Sequence, residues 1–85
     1  MMAVTVRFPA MLHGFTGHQR IVSEPVNDVA ALLDVLERMV PGLAQKLADP
    51  IYNIAVNDEL LLHRVRIHPL KDGDTVEIVP TISGG

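Results

Sequence analysis

Lys71-Asp72-Gly73-Asp74-Thr75-Val76-Glu77-Ile78-Val79-Pro80-Thr81-Ile82-Ser83-Gly84-Gly85 is the stretch on which the fold turns. Residues 71–74 read as a turn in which Gly73 is free to take a positive φ. Residues 75–79 alternate as a half-buried strand, with Val76 and Ile78 directed inward and Glu77 and Val79 outward. Pro80 lacks an N–H and has a fixed φ, so the strand is expected to stop at Val79. Gly84 and Gly85 have no Cβ and lose the most conformational freedom when ordered, so residues 80–85 are expected to form a flexible tail on a domain of residues 1–79. A packed end favours side chains with something to bury. A bare, narrow end suits threading into another protein's active site, where the carboxylate of Gly85 itself reacts. Gly84 and Ser83 then serve as slender spacers, and Ser83 has no neighbouring base that would make it a nucleophile.

Working back from that strand, residues 51–56 form a second one, ended by the turn residues Asn57-Asp58. Leu60-Leu61-Leu62 is a short apolar run, and residues 65–68 read as another short strand. At the other end of the chain, residues 3–8 alternate with Val4, Val6 and Phe8 on one face, and Pro9 ends the strand. Residues 10–18 follow neither period and contain Gly14 and Gly17, so they read as a connecting loop. Residues 19–23 return antiparallel to the first strand. Between the two pairs of strands lies one amphipathic helix. Asn27 or Asp28 caps its start, the stripe Val29, Leu32, Leu33, Leu36 and Val40 forms its apolar face, and Asp34, Glu37 and Arg38 face away. Pro41-Gly42 ends it, and Leu43 and Leu47 predict one further helical turn. A single helix of this kind covers one face of a mixed sheet, so the fold class is α+β in two layers. A leading hairpin followed by a crossing helix is the β-grasp pattern.

Composition narrows the function. The chain has 85 residues, 48% of them hydrophobic and 20% charged, with 7 basic and 10 acidic side chains and no cysteine. That makes a single small globular domain without disulfides, thiolate metal sites or a thiol nucleophile of its own. The basic residues are scattered, so nothing tracks phosphates and no nucleic-acid partner is expected. No apolar run reaches the ~20 residues of a membrane span, and Met1-Met2-Ala3 leads straight into a strand, so a soluble cytoplasmic protein without membrane partners is expected. His13 and His18 lie five apart, as do His63 and His68. Paired imidazoles fall short of the three or four convergent ligands zinc takes, so no metal is expected and these read as solvated loop histidines. No catalytic group and no bound cofactor is expected.

Leu70, Asp72-Gly73-Asp74, Val76, Ile78, Pro80 and Ser83-Gly84-Gly85 resemble the closing motif of the ubiquitin-like sulfur carriers. These include the small subunit of molybdopterin synthase (MoaD), the thiamine-pathway carrier (ThiS) and related carriers for cysteine synthesis. Asn57-Asp58-Glu59 is similar to that family too, although glycine more often stands where Asp58 does, which affects turn geometry. Pro9-Ala10-Met11-Leu12 followed by Thr16-Gly17 looks more like the cysteine-pathway type. The resemblance implies a ubiquitin-like β-grasp whose Gly85 carboxylate is adenylated by an E1-like activating enzyme using ATP. A sulfur donor protein then displaces AMP to leave a terminal thiocarboxylate, and a downstream sulfur-accepting enzyme takes that sulfur. In a molybdopterin synthase the acceptor is the large subunit. The chain is on this reading a co-substrate and not an enzyme.

The surface around the tail is expected to carry the partner interface: Phe8, Leu60, Leu61, Val79 and Pro80 form a candidate apolar area, with burial against neighbouring strands as the competing reading. Two other functions share the same ending. A protein modifier joined to a lysine amine through Gly85 is adenylated in the same way, and a plain β-grasp interaction module carries its glycines incidentally.

Overall fold

The computed structural model describes residues 2–81. Met1, Ile82, Ser83, Gly84 and Gly85 lie outside the described residues, and so do the expectations placed on the last three. The strands are β1 (Val4–Arg7), β2 (Gln19–Val22), β3 (Tyr52–Val56), β4 (Glu59–Leu60) and β5 (Thr75–Pro80), and the helices are α1 (His13–Thr16), α2 (Val29–Met39) and α3 (Leu43–Leu47). The sheet order is β2-β1-β5-β3-β4. β5 lies in the middle, parallel to β1 and antiparallel to β3. With α2 packed on one face, this is the β-grasp arrangement the sequence predicts.

Period-two alternation sets the inner face. Val4, Val6, Val22, Val56, Val76 and Ile78 are buried there against Val29, Leu32, Val35 and Leu36 of α2. Leu33, assigned to the stripe, is only half-buried, and Val35 takes its place in the core. Asp28 is the cap: its Oδ1 accepts the Ala31 N–H at 2.8 Å. Glu37 does not simply face solvent. Its two oxygens accept the N–H groups of Gly42 and Ala44 at 2.9 and 2.8 Å, which starts α3 and holds its carboxyl below the usual carboxylate range. Gly42 makes the bend between the helices at φ 94°, where a Cβ would be strained.

Two connections differ from the sequence expectation. Residues 65–68 are not a strand: Val65–Ile67 is a turn of 3-10 helix entered from Arg64 at φ 52°. Apolar alternation over so few residues does not distinguish the two. Residues 10–18 are not an open loop but a 3-10 turn (Ala10–Leu12) running into α1, tied down by buried Leu12 and Thr16. β5 also runs one residue further than expected. Pro80 sits opposite Tyr52, a register position at the end of the ladder, and the Thr81 N–H donates to the Ile51 carbonyl.

The Asp72-Gly73-Asp74 turn fastens the far end of the sheet. Asp72 Oδ1 accepts the Ala3 N–H at 2.8 Å, so the turn grips the start of β1. Asp74 is buried, with its Oδ1 accepting from the Asn57 amide at 2.9 Å and its Oδ2 from the Lys71 N–H at 2.8 Å. Asn57 Oδ1 in turn accepts the Thr75 N–H at 2.9 Å, joining the β3–β4 turn to β5. Burial is the largest influence on the Asp74 carboxyl and pushes it up. The Asn57 and Lys71 hydrogen bonds, with the charges of Lys71 and His68, outweigh it and leave the carboxyl below its ordinary value.

Asp74→Ala is therefore expected to destabilise by about 2 kcal/mol at pH 7, because two donors lose a charged acceptor. A carboxyl depressed by folding stabilises above its unfolded value and loses that contribution as pH falls through the folded one. The difference between the two proteins in urea unfolding should thus shrink below about pH 4. Asp58 supplies a second test. Asn57 and Asp58 have φ of 49° and 71°, the pair of positive values a two-residue hairpin loop uses. Asp58→Gly should raise stability by about 0.5 kcal/mol, as relief of the left-handed strain exceeds the added chain entropy.

Candidate functional site

Parallel pairing of β1 and β5 decides at which end of the sheet β5 stops. The C-terminal ends of both strands lie at one end of the sheet, together with the start of β2 and the start of β3. The tail root at Pro80 and Thr81 is braced there. Asn53 Nδ2 donates to the Thr81 hydroxyl, beside the backbone bond from Thr81 to Ile51. Ser83, Gly84 and Gly85 follow in the sequence, outside the described residues.

Among the described residues no element covers the sheet face opposite α2. In register across it stand Ile21, Thr5 and Arg7, Thr75, Glu77 and Val79, Asn53 and Ala55, and Leu60. Leu60 is 46% exposed and Val79 half-buried, so both are presented on this face; Val79 adjoins the root with half-buried Pro80, while Leu60 stands two strands away at the level of Glu77. Phe8 and Leu61 are not. They are 5% and 8% exposed and belong to the core, which corrects their placement in the interface. The reason is parity: Phe8 follows Val4 and Val6 inward, and the Leu61 N–H extends the β3–β4 ladder to the Ile54 carbonyl, turning Leu61 inward between its neighbours. That parity also exposes Leu62, at 71%, which sequence reasoning missed although the triple-leucine run contained the signal.

The histidines at residues 13 and 18 are not merely solvated. Their rings stack with centroids 4.1 Å apart, and His13 Nε2 meets the Phe8 carbonyl at 2.8 Å, so that nitrogen carries the hydrogen and donates it. Among the described residues no group of three or more His, Cys, Asp or Glu side chains is placed to hold a metal ion. None of the described helices is long and apolar enough to cross a membrane.

A five-stranded mixed sheet in the order β2-β1-β5-β3-β4 with α2 packed on one face defines a ubiquitin-like β-grasp protein. Comparison with known proteins places it more narrowly. The chain belongs to the ThiS family, whose model matches residues 6–85. It is 34% identical over 93 residues to the sulfur carrier protein CysO of Mycobacterium tuberculosis, an alignment covering 99% of this chain and all of that protein. Its fold superposes on the crystal structure of the BexX/CysO complex of Amycolatopsis orientalis with a TM-score of 0.79 and 31% identity, covering 96% of this chain and 99% of the matched one. It is also similar to a chain in the complex of subunits 1 and 2 of the molybdopterin-converting factor of Helicobacter pylori, with TM-score 0.69, 31% identity and 99% and 100% coverage.

Phe8→Ala and Leu61→Ala are expected to destabilise by about 2–4 kcal/mol, as large-to-small core changes do. Leu60→Ala should stay within about 0.5 kcal/mol of the parent. Chemical denaturation of the three variants checks the division between core and surface.

Proposed function

We propose that this protein is a sulfur carrier whose working group is the Gly85 carboxylate. The observation that carries the reading is the end-to-end similarity to a named sulfur carrier, in a fold whose last described strand, β5, ends at one end of the sheet. A carboxylate is ionised at neutral pH and resists nucleophiles. In the E1-like partner's site a Gly85 oxygen attacks the α-phosphate of ATP, pyrophosphate leaves, and the acyl-adenylate forms. Hydrosulfide delivered by the sulfur donor then attacks the carbonyl carbon, the bond from that carbon to the phosphate oxygen breaks and AMP departs, leaving a thiocarboxylate whose soft sulfur passes to the acceptor enzyme. Dividing the transfer into two activated steps is the logic of covalent catalysis, with the carrier as the cargo holder. The partner supplies ATP, positioning and charge stabilisation.

The narrow tail fits this role: a Cβ at residue 84 or 85 would widen the chain where it enters the nucleotide site. Leu60, Leu62 and Val79 provide apolar surface for a transient contact, with Pro80 at its edge. Similarity to CysO favours cysteine synthesis as the destination of the sulfur. A second reading, the small subunit of a molybdopterin synthase, draws on the similarity to the Helicobacter pylori complex.

Incubation with the E1-like adenylating enzyme, ATP and sulfide, followed by intact-mass spectrometry, should show replacement of one terminal oxygen by sulfur. Deleting Gly85 should abolish the product. Gly85→Ala should slow adenylation by roughly 10- to 100-fold, the scale of an ångström-size misplacement of the reacting group. Thiocarboxylate at the parent rate on the truncated protein would overturn the assignment, and branched lysine conjugates in its place would make the protein a modifier.

A further inference from the structure

The connection from β1 to β2 stands at the same sheet end as the tail root, because β1 and β5 run parallel. It is held rigid: His13 bonds the Phe8 carbonyl, and the buried Thr16 hydroxyl donates to the Leu12 carbonyl at 3.0 Å. Its outward side presents Phe15, 39% exposed. α3 approaches from the helix layer, and the Lys46 ammonium lies 4.9 Å from the centre of the Phe15 ring. Phe15 and Lys46, with Pro41, Gly42 and Gln45, line a shallow depression of about 390 Å³.

Charge distinguishes this side. Residues 1–23 contain Arg7, His13, His18 and Arg20 and no acidic residue, in a chain whose net charge is −3. Lys46 is exposed, and among the described residues the ion pair is Arg38–Glu24, so no described carboxylate neutralises Lys46. A cation held over an aromatic face and lacking a counter-ion is available to a partner. Reach supplies the occupant. Gly85 lies five residues beyond Pro80 in the sequence, a span of at most about 18 Å when fully extended. An enzyme that closes on Gly85 must bring the rim of its site within that distance of the sheet end, where the Phe15–Lys46 face stands.

We infer that this face is a second contact for the enzyme that activates the tail, and that it receives an acidic segment of that enzyme's rim, carboxylates onto Lys46 and an apolar side chain against Phe15. The inference rests on the carrier reading, since it requires an enzyme that takes the tail. A contact of this kind acts mainly on encounter, and salt weakens it.

The test titrates the carrier against the E1-like adenylating enzyme of the same organism with ATP and sulfide, comparing the parent, Lys46→Glu, Lys46→Gln and Lys71→Gln, the last at the opposite end of the sheet. At low ionic strength Lys46→Glu should raise KM for the carrier about tenfold and Lys46→Gln by less, with kcat unchanged, while Lys71→Gln leaves KM within about twofold. At about 0.5 M salt, where the screening length is near 4 Å, the differences should fall to about twofold or less. Circular dichroism and thermal unfolding matching the parent confirm that the variants fold. A parental KM for Lys46→Glu, or an increase that salt does not reduce, overturns the docking face while leaving the carrier reading intact. Absence of thiocarboxylate from the parent itself would sink both.

Discussion

The pairing of β5 between β1 and β3 is the constraint on which the remainder of the structure depends. A strand at the centre of a sheet has both rows of backbone groups committed, so its register fixes its two neighbours at once. Here the register is pinned at its start, where Asp72, Asp74 and Asn57 tie three chain segments together, and the Thr5 N–H donates to the Asp74 carbonyl at 3.0 Å. The other end carries fewer ties, the Thr81 N–H to the Ile51 carbonyl and the Asn53 amide to the Thr81 hydroxyl. The tail root emerges from the most constrained strand in the molecule, at the end away from the knot.

The second consequence concerns faces. One helix of eleven residues with a single apolar stripe covers one side of a five-stranded sheet, and its pairing with α3 extends that layer. No described element covers the opposite side. Polar residues such as Arg7, Glu77 and Asn53 hold it in water, while Leu60, Val79 and Ile21 give it apolar area. Among the described residues this sheet face therefore lies open beside the end of β5. The family membership and the similarity to CysO agree with that geometry.

Local rules made most elements legible in the sequence. Alternation located β1, β3 and β5, the heptad-like stripe with its Asp28 cap located α2, and Pro41-Gly42 ended it. The same rules failed where few residues carry the signal. Residues 65–68 satisfy a short alternation as well as a 3-10 turn does, and residues 10–16 lack any period because their turn is held by Thr16 and His13 reaching back to carbonyls. Those bonds depend on where the ends of β1 and β2 stand.

Within the candidate site the division is the same. The sequence by itself determined the raw material: a Gly-Gly ending, no cysteine, Val79 next to the root in the chain and a leucine run at residues 60–62. Only the tertiary structure decided which of the candidate apolar residues are exposed. Phe8 and Leu61 are inside and Leu60 and Leu62 outside because strand parity relative to α2 is set by pairing, a property of two strands together and not of either alone. The meeting of Phe15 with Lys46 is likewise invisible in sequence, since 31 positions separate them and only the packing of α3 beside the β1–β2 connection brings them together.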